Sequence, residues 1–306
     1  MIVPPIFRNP LDPLFQEAVA ALDAGDTAAL ERLLRAHPDL VRDRLTRSGE
    51  WLRQQAGDAL DRFFKHPYLL WFVAEDPVRH GTLPANIVSV TQVIIDALVR
   101  EKVPTRQKQL DYTLRLVAWS GVAADCKVQI PLIDALIDAG ARPATEADNA
   151  LVNGHIAAAR RLIDRGGTLS LGTALCIDRL DDVPRLFEAA SEADRRMAFV
   201  LAALNGRAEA LRRMIALGVD VNAPSKNLYA HGTPLHHAVC SGSLEAVQVL
   251  VEAGAGVNTR DTAWKGTPMG WANHYIDETT AAKDEARLAQ YRAIAGYLES
   301  KGSRDD

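Results

Sequence analysis

The chain has only three cysteines in 306 residues, Cys126, Cys176 and Cys240, and they lie far apart. So sparse and odd a set excludes a disulfide-stapled fold and suits a reducing compartment. No C-x-x-C pair occurs, which leaves a structural zinc site unsupported. Aromatic residues make up 6% of the chain, so the core must be built mainly from Ala, Leu, Val and Ile. Basic charge is not in excess either: 35 Lys+Arg against 39 Asp+Glu leave a net charge of −4. That balance argues against a nucleic-acid groove, which normally shows a Lys/Arg surplus. Long apolar runs are missing. The longest candidate, 87–99, contains Ser89, Thr91, Gln92 and Asp96, short of the roughly 18 apolar residues a membrane helix needs. Residues 1–13 have no cationic start and are interrupted by prolines, so no secretory leader is expected. The phosphate-loop, dinucleotide-loop and H-E-x-x-H patterns are all absent. The nearest approach to a nucleophile elbow, around Ser170, has Thr168 where glycine is required and reads as a turn. A cytoplasmic protein without membrane association is expected. At 48% hydrophobic residues the chain can bury a core, which rules out wholesale disorder.

What is present is self-similarity. Ala238, Gly242, Gly254 and Asn258 repeat Ala202, Gly206, Gly218 and Asn222, each 36 residues on. Val247, Leu250 and Val251 repeat Leu211, Met214 and Ile215 at the same distance. Upstream, Ala150, Gly154, Ala159, Leu162 and Ile163 fit the template. So do Ala174, Val183, Leu186 and Phe187, with Asp178 in the glycine place. Ala21, Gly25, Leu30, Leu33 and Leu34 repeat it near the start, and Thr267, Pro268, Met269 and Ala272 repeat Thr233, Pro234, Leu235 and Ala238 downstream.

Each unit reads as two short helices. Thr233 and Thr267 suit the N-cap, where a side-chain oxygen accepts from an orphan backbone N–H. Pro234 and Pro268 follow at the first helical position, where a missing N–H costs nothing. Gly242 permits the left-handed turn that ends the first helix. One such pair cannot bury both its faces, so neighbours must stack.

The segment GTPLHHAVCSGSLEAVQVLVEAGAGVNTRD resembles an ankyrin repeat, including the T-P-L-H element of a family with about 33 residues per repeat. The resemblance is strong over 198–272, degenerate but in register over 145–190, and recognisable at 15–41. Between these, two looser units pair 68–74 with 90–102, and 110–120 with 128–140, the second with extra residues in its turn. It implies an all-α solenoid of stacked antiparallel helix pairs, about eight in number, as one domain over 1–306. Within it, 14–144 are divergent repeats, 145–272 clearer repeats and 273–301 an extended C-terminal capping repeat. Short hairpin-like loops are expected mainly in the C-terminal half, at 221–232 and 257–266. The insertion at 276–289 reads as a solvated extension before a second helix at 291–298, and the last five residues as frayed.

In ankyrin repeats, partners are contacted mainly by loop tips and by the two residues before the glycine that ends the first helix. Carried over, the second set is Val152 and Asn153, Cys176 and Ile177, Leu204 and Asn205, Cys240 and Ser241, His274 and Tyr275. The tip set is Asn227, Tyr229 and His231, then Arg260, Trp264 and Lys265. The partner-binding candidates are Leu204, Asn205, Tyr229, His231, Cys240, Ser241, Trp264, Lys265, His274 and Tyr275. Trp264 either folds back over the next repeat or stands exposed as an interface anchor; Trp271, Trp51, Trp71 and Trp119 are expected in packing. The reading is a non-catalytic module that binds another protein on its concave face and loop tips, with no cofactor, no metal and no small-molecule substrate.

Two alternatives remain. His231, His236, His237 and Cys240 could hold a metal in a hydrolase. However, His236 fills the T-P-L-H place, where the family's histidine bonds neighbouring loop backbone. The arginines between 32 and 62 could bind nucleic acid, but interleaved acids there read as a solvated face.

Overall fold

The structure is a computed structural model that describes residues 11–304. Residues 1–10, on which the leader reading largely rests, and 305–306 lie outside it. Among the described residues all regular structure is helical, with no β-strand. The chain divides into two compact units at Thr168/Leu169.

The N-terminal unit holds α1 (Leu11–Asp23), α2 (Thr27–Ala36), α3 (Asp39–Arg42), α4 (Glu50–Ala56), α5 (Ile87–Arg100), α6 (Arg106–Trp119), α7 (Gly121–Asp125), α8 (Gln129–Asp138), α9 (Glu146–Val152) and α10 (Ile156–Asp164). Gly25 and Gly154 turn α1 into α2 and α9 into α10 at φ +68° and +76°, a conformation that disfavours a Cβ. Asp26 caps α2 by accepting from the Ala29 N–H at 2.9 Å. The second helices α2, α5, α8 and α10 pack in sequence order, as do α6 and α9 on the inner side.

The looser units differ from expectation in their details. The first helix of one, Leu69–Ala74, is a 3-10 helix with all six residues buried. Leu-Leu-Trp-Phe-Val-Ala has no polar side for a solvent-facing stripe, so it forms a short plug rather than an amphipathic helix. The extra residues in the other turn are α7, which Ser120 caps by accepting from the Ala123 N–H at 3.0 Å. Trp71 is buried, 4.2 Å from the Tyr112 ring. Trp51 donates its indole N–H to Asp12 at 3.0 Å. Trp119 departs from the packing expectation: it ends α6 and is 40% exposed. Arg44 is no solvated charge: it donates to the carbonyls of His66 (2.6 Å) and Lys65 (2.8 Å).

The C-terminal unit holds α11 (Leu171–Cys176), α12 (Val183–Ala189), α13 (Glu192–Leu204), α14 (Ala208–Ala216), α15 (Pro234–Cys240), α16 (Leu244–Glu252), α17 (Pro268–Ala281) and α18 (Glu285–Ser300). First helices α11, α13, α15 and α17 stack in order, and α14, α16 and α18 stack behind them. Close approach is possible because the residues facing the neighbour are small: Ala174, Ala202, Ala238 and Ala272 are fully buried. Leu211, Met214, Val247 and Leu250 are also fully buried, each contributing about 1.5–3 kcal/mol. Asp178 does take the glycine place, at φ +67° beside +63° at Gly206 and +74° at Gly242. Aspartate is among the few side chains that visit this region readily.

Two expectations fail at the C-terminal end. The insertion at 276–289 is not a separate solvated extension. It lengthens both helices of the last pair, α17 running to Ala281 and α18 starting at Glu285. Its Ala, Glu, Arg and Leu residues are strong helix formers. Asp284 caps α18 by accepting from the Arg287 N–H at 3.1 Å. The tail is not frayed up to Arg304. Ser303 donates to the Val257 carbonyl at 2.8 Å, and the Arg304 N–H donates to Asn258 at 2.8 Å.

Candidate partner-binding surface

In the C-terminal unit the connections after α14 and α16 are the long ones, and the second carries the sequence DTAWKG. Asp261 shapes it. Its carboxylate accepts from the backbone N–H of Trp264 (2.7 Å), Ala263 (2.8 Å) and Gly266 (2.9 Å), and from the Trp271 indole N–H (3.0 Å). Its own N–H donates to the Gly266 carbonyl at 2.9 Å and closes the tip. Burial pushes the Asp261 carboxyl up, but the donors from Trp264, Trp271, Ala263 and Gly266 together outweigh it, so its pKa lies below the ordinary value. Lys265 takes a left-handed turn at φ +61°, and Arg260 donates to its carbonyl at 2.8 Å. The preceding loop is tied on where the Thr262 N–H donates to the His231 carbonyl at 2.8 Å.

Over this frame the rings assemble. Trp264 meets His231 edge-on at 4.8 Å and Trp271 at 5.9 Å. Tyr229 lies 6.1 Å from His231 and 5.9 Å from His237, and Trp271 meets His236 at 5.1 Å. Such pairs contribute about 0.5–1.5 kcal/mol each beyond their buried area. Trp264 nevertheless stays 71% exposed, so it sits on the cluster by one edge rather than folding into it. Trp271 is half-buried and packed, as expected.

The histidines serve the loops. His236 Nδ1 accepts from the Thr233 N–H at 3.1 Å, and its Nε2 faces the Gly266 carbonyl at 3.2 Å. This is the loop bond the family resemblance implied. His237 Nε2 faces the Tyr229 carbonyl at 3.2 Å, so the network assigns the Nε2–H tautomer to both rings. Burial pushes the His237 pKa down to about 4 and holds the ring neutral. Among the described residues no group of three or more His, Cys, Asp or Glu is placed to hold a metal ion.

The remaining candidates divide. Tyr275 donates its hydroxyl to Cys240 Sγ at 3.0 Å and stacks on Tyr291 at 4.9 Å. Tyr291 donates to the Cys240 carbonyl at 3.0 Å. Burial pushes the Cys240 thiol up, away from the thiolate that nucleophilic chemistry requires. His274 is exposed beside Tyr275, with ring centroids 5.5 Å apart. Ser241 donates back to the Ala238 carbonyl at 2.6 Å, and Asn205 to the Leu201 carbonyl at 2.9 Å, so both side chains finish their own helices. Leu204 is half-buried beside them. The structure thus brings together Tyr229, His231, Trp264 and Lys265 at the loop tips and pairs Cys240 with Tyr275. Sequence reasoning missed Asp261 and the place of His237 within the ring cluster. The signal available for the first was an Asp three residues before Trp264 and five before Gly266, an Asx-type turn.

Stacked helix pairs with protruding loops define a repeat protein. Residues 153–261 match the family model for ankyrin repeats, in three copies, so that stretch is built of ankyrin repeats. Ankyrin repeats are in general protein-interaction modules and are typically non-enzymatic. The potassium channel GORK of Arabidopsis thaliana is 32% identical over 94 residues, which are 31% of this chain and 9% of the channel. The match therefore spans a short segment of that relative. No helix among the described residues is long and apolar enough to cross a membrane.

Proposed function

We propose that this chain is a non-catalytic protein-interaction module whose partner docks on the loop tips of the C-terminal unit. One observation carries the reading: Trp264 is 71% exposed yet held in place by Asp261, His231 and Trp271. An indole fixed before binding loses little entropy on docking, which is what makes tryptophan effective at interface hot spots. Tyr229, 40% exposed, extends the aromatic surface, and exposed Lys265 and His274 supply a polar rim. The three free cysteines fit a reducing, cytoplasmic setting. The hydrolase alternative gains no support, because His236 and His237 turn their Nε2 atoms to backbone carbonyls and burial pushes the Cys240 thiol pKa up.

The test is affinity capture with the intact chain as bait, followed by measurement of the captured protein against Trp264→Ala. Binding should weaken by about 2 kcal/mol or more, while Arg32→Glu and Arg62→Glu change it little. If Trp264→Ala lowers the melting temperature but the folded fraction binds normally, the indole is packing and the reading fails. Loss of binding in the arginine variants alone would place the surface in the other unit.

A further inference from the structure

The N-terminal unit contains a cavity of about 450 Å³ that helix-pair stacking does not call for. Three segments close on it: residues 46–48, the stretch from Arg53 through Asp61, and residues 65–66. Its polar walls carry Arg47, Arg53 and Lys65, the hydroxyls of Thr46 and Ser48, the His66 imidazole and one carboxylate, Asp61. Three exposed guanidinium groups elsewhere in this unit find carboxylates: Arg35 meets Glu31 at 2.6 Å, Arg42 meets Glu101 at 2.7 Å and Arg142 meets Asp111 at 2.6 Å. Among the described residues no carboxylate lies within ion-pair distance of Arg47, Arg53 or Lys65. Three cations line one cup whose single carboxylate, Asp61, balances only one of them, and an anion between them would relieve the remaining repulsion.

The cup is also held in shape. Arg44 fixes the backbone at 65–66 through the two carbonyls of Lys65 and His66. The Leu45 N–H donates to the Pro67 carbonyl at 2.9 Å. Arg53 Nε donates to the Ser48 carbonyl at 3.1 Å, which leaves its terminal amino groups for another acceptor. Gly57 lines the cup with no atom within 4 Å of where a Cβ would stand, so a ligand has room against the backbone.

We propose that this cup binds a single phosphoryl dianion, presented as inorganic phosphate or as a phosphate monoester. Arginine forks match tetrahedral oxyanions bidentately, and the two hydroxyls add neutral donors. A nucleic-acid strand fits less well. It needs an extended basic track, and exposed Glu50, Asp58 and Asp61 interrupt one here. Asp61 opposes the ligand and limits its affinity.

The experiment is an NMR titration of the 15N-labelled full chain with phenyl phosphate, with inorganic phosphate and with oligo-dT at fixed ionic strength. Saturable amide shifts confined to residues 46–66 are expected with at least one of the two phosphates. Arg47→Gln and Arg53→Gln should each weaken binding about ten-fold or more. Asp61→Asn should tighten it, a gain that misfolding cannot imitate. If phenyl phosphate binds at least as well as inorganic phosphate, a monoester is the ligand; the reverse order points to free phosphate. Either order supports the site. No saturable shift at 46–66 at millimolar phosphate overturns it. So does binding that both arginine variants leave unchanged, or a response to oligo-dT alone.

Discussion

Replacing Asp261 with alanine tests whether one buried carboxylate sets the shape of the loop that carries Trp264. Four N–H groups lose their acceptor together. The amides of Ala263 and Trp264 belong to exposed residues and can turn to water, so their loss costs little. The Gly266 amide and the Trp271 indole are half-buried and cannot rehydrate fully. A hydrogen bond to a charged acceptor contributes about 1.5–3 kcal/mol. Two such losses, softened by partial hydration, come to about 3 kcal/mol. Asp261→Asn keeps the shape but presents an N–H₂ to donors and removes the charge, so about 2 kcal/mol is expected. Equilibrium urea unfolding followed by far-UV circular dichroism at pH 7 measures both. A change within about 0.5 kcal/mol for the alanine variant, the range of an ordinary surface substitution, refutes the argument. A pH series gives a second check. The folded carboxyl lies below its unfolded value of 3.8, so its contribution is full above that value and is lost as pH falls through the lowered one. The gap between the parent and Asp261→Asn should stay constant from pH 8 to 5 and close only in stronger acid.

His237 should make the parent protein acid-labile in a higher pH range. Its folded pKa of about 4 lies below the unfolded 6.5, so stability present above 6.5 is lost as pH falls toward 4, by at most about 3 kcal/mol. Thermal melts between pH 7 and 4.5 should show the slope, and His237→Phe should flatten it. Asp76 has the opposite sign: burial raises its pKa from 3.8 to about 6, so the favoured protonated form is lost as pH rises through 6. Asp76→Asn should therefore stabilise the protein by about 1–2 kcal/mol at pH 7.5 and hardly at pH 4, read from melts at the two values.

The repeat was legible because its determinants are local. A small residue, a left-handed residue four positions on and an apolar triplet after it fix the turn and the buried stripe within one unit. Even Asp178 could be placed this way. The helix at Leu69–Ala74 was legible but its 3-10 geometry was not, because an all-apolar run has no periodicity to show which kind of helix it forms. The charged network just beyond this helix was invisible for a different reason. Arg79 donates to Asp23 at 3.0 Å across 56 residues of sequence and pairs with buried Glu75 at 2.7 Å. No spacing rule reports a buried network assembled from the end of one helix and a later loop. At the loop tips, Trp264 and Tyr229 stood out as large aromatics in aperiodic stretches. The pose of the indole depends on Asp261, whose task appears only when four donors are seen around it.

Residues 302–304 bond the loop at Asn258 in the way that one repeat loop bonds the next. Asn222 donates to the Gly254 carbonyl at 3.2 Å and accepts from the Gly256 N–H at 2.8 Å, tying one loop to the next. Asn258 is the same residue one repeat later. It donates instead to the Gly302 carbonyl at 3.1 Å and accepts from the Arg304 N–H at 2.8 Å. The tail reproduces the carbonyl, the amide and their spacing of two residues. Thr267 adds a bond to the Arg304 carbonyl at 2.7 Å. The two added helical segments of α17 and α18 bring Gly302 to that place. The tail thereby pairs the Asn258 side chain and its own backbone polar groups at once, as buried backbone requires. Because the tail stands in for a loop, the aromatic loop beside it is fixed on both sides, by His231 before it and by Arg304 after it. On the proposed reading, that rigidity would let the exposed tryptophan bind without first being ordered.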